Sequence, residues 1–152
     1  MGADSMNHEE LLRVEDHGGV ISLSLCSPSN RFSLSLIEEL HGRVQDLKHR
    51  LDVGAVWLRA DGDNFSPGAD LKDPRLATLV LQDDNSRRRL AALGQSLIEN
   101  WMSLSVPTVV SCQGFVLGAG ACLMCSTKEK SGCSTKPKGC FTTNPASCNC
   151  SR

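Results

Sequence analysis

The stretch Pro107–Ala121, PTVVSCQGFVLGAGA, constrains this chain more than any other. Its first half, Thr108 to Ser111, is short, apolar and β-branched and reads as a buried strand. It ends in Gly118-Ala119-Gly120-Ala121, built only of small residues. A strand that runs into small residues and then an apolar helix start brings backbone N–H groups up against a ligand. A second stretch of this kind lies upstream, Phe65-Ser66-Pro67-Gly68-Ala69-Asp70-Leu71-Lys72. Taken alone, Gly-Ala-Gly after a strand also fits close helix–strand packing, and Pro-Gly-Ala-Asp also fits a plain turn.

The rest of the chain supplies a scaffold. Leu11 to Asp16 and Val20 to Leu25 flank a His17-Gly18-Gly19 turn, a hairpin signal, with the second run alternating apolar and polar. Ser27-Pro28-Ser29-Asn30 breaks it. Leu36, Ile37, Leu40, Val44, Leu47 and Leu51 then form one apolar helical stripe. Ser33 or Ser35 caps its start, Glu38 and Glu39 suit its first turn, and His41 and His49 fall on its wet face. Gly54 to Ala60 reads as a buried strand and Asp61 to Asn64 as a turn. Leu76 to Leu81 is apolar without a decisive period. Ser86 to Ser103 is a second helix, burying Leu90, Leu93, Leu97, Trp101 and Leu104. Arg87, Arg88 and Arg89 fall in its first turn, as a solvated face or as a contact for phosphate. The order β, β, α, β, loop, α, β argues for a layered α/β fold.

At 152 residues the length suggests one domain. A net charge of −1 gives no reason to expect nucleic acid, and no apolar run has the length of a membrane span. The first twenty residues are acidic and lack an apolar core, unlike a signal or transit peptide. Of eight cysteines, Cys26 stands alone and seven fall between Cys112 and Cys150, so they do not spread as a disulfide framework would. These features predict a cytoplasmic, reduced protein over the first 120 residues, with the Cys-rich end read separately.

The two small-residue blocks, in this order, resemble the crotonase superfamily, the enoyl-CoA hydratase/isomerase family. The resemblance runs over roughly residues 11 to 124. It also takes in Pro28 and Asn30 before the first helix, Leu97, Ile98, Glu99 and Trp101 in the second, and the P-x-V-x-x-x-Q-G-x-x-L-G-x-G pattern from Pro107. It implies a crotonase-like (ClpP/crotonase) spiral of β-β-α units and a coenzyme A thioester as substrate, with no metal expected. Members hydrate, isomerise, hydrolyse or decarboxylate such thioesters, and usually form trimers or hexamers. By position, the two oxyanion-hole donors map onto the N–H groups of Ala69 and Ala119, the second a glycine in most of the family. Backbone donors need only a close approach, and small residues allow it. Gly68, Ala69, Asp70, Leu71 and Lys72 resemble the segment that receives coenzyme A.

The chain also departs from that pattern. The first acid–base glutamate of the hydratases falls at Cys122, and a thiol is a poorer general acid–base than a carboxylate. After Met124 the sequence turns into a Cys-, Ser- and Lys-rich tail with Phe141 as its one large apolar residue. The expected organisation is a disordered segment 1–10, the N-terminal part of a crotonase-like domain over 11–124, and a disordered tail over 125–152. The domain would end after the second oxyanion segment, and such a truncated chain is expected to be unstable alone and weakly active or inactive. Two other readings stay open. One is a non-catalytic truncated partner docking on a full-length crotonase. The other is a metal-binding tail using Cys122, Cys125, Cys133, Cys140, Cys148 and Cys150, with ligand spacing at Cys122-x-x-Cys125 but no histidine.

Overall fold

The structure, a computed structural model, describes residues 10–127. The expected disordered start and most of the Cys-rich tail lie outside the described residues. A four-stranded mixed sheet runs in the order β1-β2-β3-β4, with β1 Leu12–Asp16, β2 Val20–Leu25, β3 Ala55–Ala60 and β4 Thr108–Val110. β1 and β2 form the expected hairpin, and its Gly18 and Gly19 take φ of +69° and +92°. β2, β3 and β4 are parallel, so each needs a crossover, and the helices supply it. These are α1 (Leu34–Lys48) before β3, and α2 (Pro74–Gln82) and α3 (Asp84–Met102) before β4. α4 (Ala119–Cys125) follows β4.

α1 begins where Ser33 caps it, its hydroxyl accepting from Leu36 N at 3.2 Å. It buries Leu34, Leu36, Ile37, Leu40, Val44 and Leu47, the expected stripe with two changes. Leu51 lies past the helix end and is fully exposed, and Leu34 joins the buried set. Glu38 and Glu39 fall beyond the first turn, because the helix starts at Leu34. His49 is exposed as expected, but His41 faces α3. Its Nε2 lies 2.9 Å from Ser96 Oγ and 3.2 Å from Asn100 Nδ2.

Alternation in Val20–Leu25 predicts one wet face, yet Ile21 to Leu25 are all buried. β3 is the reason. Trp57 and Arg59 stand opposite Ser22 and Ser24 in the parallel register. Arg59 Nε donates to Ser24 Oγ at 2.9 Å, and its guanidinium lies 5.1 Å from the centre of the Trp57 ring. Serine is buried here beneath a hydrogen-bonded polar layer rather than left wet.

The ambiguous run Leu76–Leu81 is helical. Asp73 caps α2 and Pro74 opens it, a helix start that the sequence carries on its polar side rather than in its apolar period. α3 starts two residues earlier than its apolar pattern suggests, capped by Asp83, so its first turn holds Asp84 and the arginine run falls after it. Arg87 pairs with Asp84, and Arg88 and Arg89 are exposed. Leu97, Trp101 and Leu104 are buried as expected, whereas Leu90 and Leu93 are only partly so.

Asp73 ties two helix starts together. Its carboxylate accepts from Arg75 N at 2.9 Å and from Leu34 N, at the head of α1, at 2.7 Å. Burial pushes its pKa up, but the N–H donors of Leu34, Arg75 and Leu76 outweigh this and hold it below the ordinary carboxylate value. A lowered folded-state pKa stabilises above the unfolded value of about 3.9, and that stabilisation is lost as pH falls through the folded value. Asp73→Ala is therefore expected to lower unfolding stability by about 1 kcal/mol near neutral pH. The gap between the variant and the wild type should close in acid, as followed by urea midpoints across a pH series.

Candidate functional site

The segment after β3 and the segment after β4 run side by side. Short parallel pairings join Ser66 to Val116 and Phe32 to Ala69. Phe65 N donates to Gln113 O at 2.8 Å, Ser66 N to Phe115 O at 3.1 Å, and Leu117 N to Ser66 O at 2.9 Å. These bonds bring the two small-residue blocks together at Gly68 and Gly118. A Cβ at Gly118 would lie 3.4 Å from Gly68 Cα, and one at Gly68 would lie 3.4 Å from Leu117 O. Both glycines have positive φ, +102° and +54°. Gly120 packs more tightly still, since its Cβ would lie 3.1 Å from Ser66 Cβ and 3.4 Å from the Phe65 ring.

Ala69 and Ala119 each follow one of the touching glycines, so the geometry brings the two small-residue segments to one place. Among the described residues, neither N–H has an acceptor. Next to Ala69, Gly68 N donates to Ser66 Oγ at 3.1 Å and Asp70 N to Phe32 O at 3.0 Å. Gly68 is buried, Ala69 is exposed and Asp70 is half-buried, with Oδ1 accepting from Lys72 N at 3.1 Å. Leu71 and Lys72 point to solvent. Cys122 is exposed one turn along α4 from Ala119. Glu99 is exposed on α3 and accepts from Gln95 Nε2 at 2.8 Å.

Three carboxamides hold this arrangement, and sequence reasoning passed over their roles. Asn30 sits at φ +49°, a left-handed conformation that asparagine tolerates, and is buried. Its Nδ2 donates to Asp61 O at 2.7 Å and to Asn64 O at 3.0 Å. Gln113 Nε2 donates to Ala60 O at 2.7 Å and Gly62 O at 3.0 Å. Asn64 Oδ1 accepts from Phe115 N at 2.9 Å. The turn 61–64 is thereby fastened to the chain before α1 on one side and to the segment after β4 on the other. Asn30 and Gln113 belong to the stretches that carry the family resemblance, but nothing in the sequence marks which carbonyls they hold.

The packed chain continues to Thr127, past the boundary expected at Met124. The Thr127 hydroxyl donates to Leu123 O at 3.0 Å and accepts from Trp101 Nε1 at 3.4 Å. Among the described residues no group of three or more His, Cys, Asp or Glu is placed to hold a metal. Cys122 and Cys125 lie on α4, and Cys133, Cys140, Cys148 and Cys150 lie outside the described residues. No helix among the described residues is long and apolar enough to cross a membrane.

A mixed sheet whose strands alternate with helices, with two segments running side by side and meeting at paired glycines, fits a crotonase-type α/β fold. A family model for enoyl-CoA hydratase/isomerase matches residues 18–131, and the chain belongs to that family. It is 30% identical over 109 residues to the Mycobacterium tuberculosis protein named probable enoyl-CoA hydratase EchA17, covering 72% of this chain and 40% of that protein. It is 32% identical over 118 residues to trans-2-decenoyl-[acyl-carrier-protein] isomerase of Streptococcus mutans, covering 76% and 44%. Among solved structures, Pseudomonas aeruginosa AtuE matches with a TM-score of 0.74 at 28% identity, covering 80% of this chain and 47% of that one. An enoyl-CoA hydratase from Shewanella pealeana shares the fold with a TM-score of 0.74 at 24% identity, covering 81% and 46%. The chain thus spans less than half the length of these relatives.

The clamp makes Gly114 sensitive. Its φ is +58°, and a Cβ there would overlap Asp63 O and Asn64 Oδ1. Gly114→Ala is expected to cost about 2–4 kcal/mol of stability, through backbone strain and overpacking together. Gly42→Ala is its control, because a Cβ there meets nothing within 4 Å and the site is helical. Guanidinium midpoints of the two variants should move in opposite directions.

Proposed function

We infer that this chain binds an acyl-coenzyme A thioester and stabilises the charge that its carbonyl oxygen gains on enolisation. Ala69 and Ala119 N–H are the two donors. The observation that supports this reading is the close approach of Gly68 and Gly118, each followed by an alanine whose N–H has no acceptor among the described residues. An N–H fixed in place before the charge forms need not reorient as it forms, and one such donor is worth on the order of 3 kcal/mol in a transition state. The names of the relatives, an enoyl-CoA hydratase and a decenoyl-[acyl-carrier-protein] isomerase, support an unsaturated acyl group. Gly68, Ala69, Asp70, Leu71 and Lys72 form the rim along which coenzyme A lies, with the exposed Leu71 and Lys72 outermost.

The carboxylates nearby serve the fold. Asp73 caps α2 and holds Leu34 N, and Asp70 holds Lys72 N. Cys122 adds a thiol one turn beyond Ala119. The function assigned to these residues is therefore thioester binding and charge stabilisation, with proton transfer left to no named side chain.

Proline at position 69 gives a clean test. The pairing with Phe32 uses Gly68 O and Asp70 N, so it does not need the Ala69 N–H. Ala69→Pro deletes that donor and neither pairing bond, and because proline also restricts Gly68 before it, the variant's unfolding midpoint must match the wild type's for the comparison to count. Crotonyl-coenzyme A is expected to bind the full chain saturably in calorimetry, and the variant should lose at least about tenfold in affinity. Equal binding by both proteins, or no binding by the wild type at millimolar ligand, would overturn the reading.

A further inference from the structure

Ser66 is completely buried, and it touches both halves of the site. Its N–H donates to Phe115 O and its carbonyl accepts from Leu117 N, which pairs it with the segment after β4. Its Cβ is the surface against which Gly120 packs, 3.1 Å from the position of an added Cβ. Its hydroxyl oxygen turns back on its own segment and accepts from Gly68 N at 3.1 Å. Gly68 and Ala69 N–H are consecutive donors on one strip of backbone. A hydroxyl that accepts an N–H two residues on closes a small turn and fixes the peptide planes inside it.

We propose that Ser66 is the positioning residue of the donor pair: its hydroxyl holds Gly68 N–H inward and leaves Ala69 N–H as the single donor this segment presents to a thioester oxygen. The proposal rests on the reading of Ala69 and Ala119 as donors. Without the hydroxyl, the buried Gly68 N–H has lost its partner, and an unpaired buried donor is costly enough to turn its peptide plane toward another acceptor. Gly68, with no Cβ, offers little resistance to that turn. The Ala69 N–H is one peptide unit away and moves with it. Ser66 acts through Gly68 and need not touch the substrate.

Ser66→Ala removes Oγ alone and keeps the Cβ on which Gly120 rests. In the full chain without ligand, amide hydrogen exchange at Gly68 is expected to quicken about fivefold, with Leu117 unchanged. With crotonyl-coenzyme A carrying carbon-13 at the thioester carbon, infrared difference spectra should record a lowered carbonyl stretch on the wild type. Ser66→Ala, which misaligns the donor that Ala69→Pro deletes, should weaken binding by up to about tenfold and, at saturating ligand, recover about half of that lowering. Ser66→Cys, which keeps the volume and offers only a weak acceptor, should behave alike and serves if the alanine variant does not fold. A variant that binds with the full lowering, or a Gly68 exchange rate unmoved by the substitution, would overturn the role of Ser66. An unshifted stretch on the wild type would instead bring down the donor reading itself, and the two failures are told apart by which protein shows them.

Discussion

Two stretches of backbone touch at Gly68 and Gly118 with no side chain between them, and the rest of the molecule is arranged to keep them there. Such a contact is unforgiving. Both residues occupy positive φ, where a side chain is strained, and a Cβ on either would fill the gap to the backbone of the other segment. Neither stretch holds that shape alone, because each is a connection between a strand and a helix with no regular structure of its own. The sheet sets the distance between them. β3 and β4 are adjacent parallel strands, so the segments leaving their ends start as neighbours and head the same way. The pairing of Ser66 with Val116 then continues that adjacency beyond the sheet.

The clamp behind the contact is built from carboxamides, and their chemistry explains the choice. A turn such as 61–64 presents carbonyls that no strand or helix satisfies, and buried carbonyls need donors. Asn30 and Gln113 each present an NH2 that serves two carbonyls of this region at once. Asn64 supplies an acceptor in return to Phe115 N. A charged side chain in Asn30's buried place would carry a desolvation cost that the neutral amide avoids. The same logic covers the opposite face of the sheet, where Ser22 and Ser24 are buried under Trp57 and Arg59. In both places hydrogen bonds offset the burial of polar groups, although the buried Oδ1 of Asn30 has no partner among the described residues.

How far the sequence could be read follows from which forces its pattern records. Apolar period records burial against the sheet, and α1, β3 and the buried end of α3 stood where Leu36–Leu47, Ala55–Ala60 and Leu97–Trp101 put them. Where burial came from a polar lid, the period misled, as at Ser22 and Ser24. Where a helix was held by its cap more than by its stripe, the period was silent: α2 buries only Leu76, and its signal was Asp73-Pro74. The two small-residue blocks were legible as a pair, since no apolar or charged pattern accounts for glycine and alanine there. Their supports were not. Asn30, Asn64 and Gln113 act across gaps of 31 to 53 positions, and a single sequence carries no mark of such partnerships.

The site as built separates two tasks that an enzyme of this family must combine. Oxyanion stabilisation by backbone N–H depends on the path of the chain, and side chains enter only by being small enough or by holding that path. An alanine at position 119, where the resemblance places a glycine, keeps the N–H and adds one methyl group. Proton transfer depends on which side chain occupies a position, and a cysteine in place of a carboxylate changes the chemistry outright. Substitution therefore acts on the two tasks at different rates. The glycines and carboxamides that set the path of these segments also hold the fold together, so the proposed donors depend on residues that packing itself requires. Under the function proposed above, thioester binding depends on the path of the backbone, and turnover depends on single side chains.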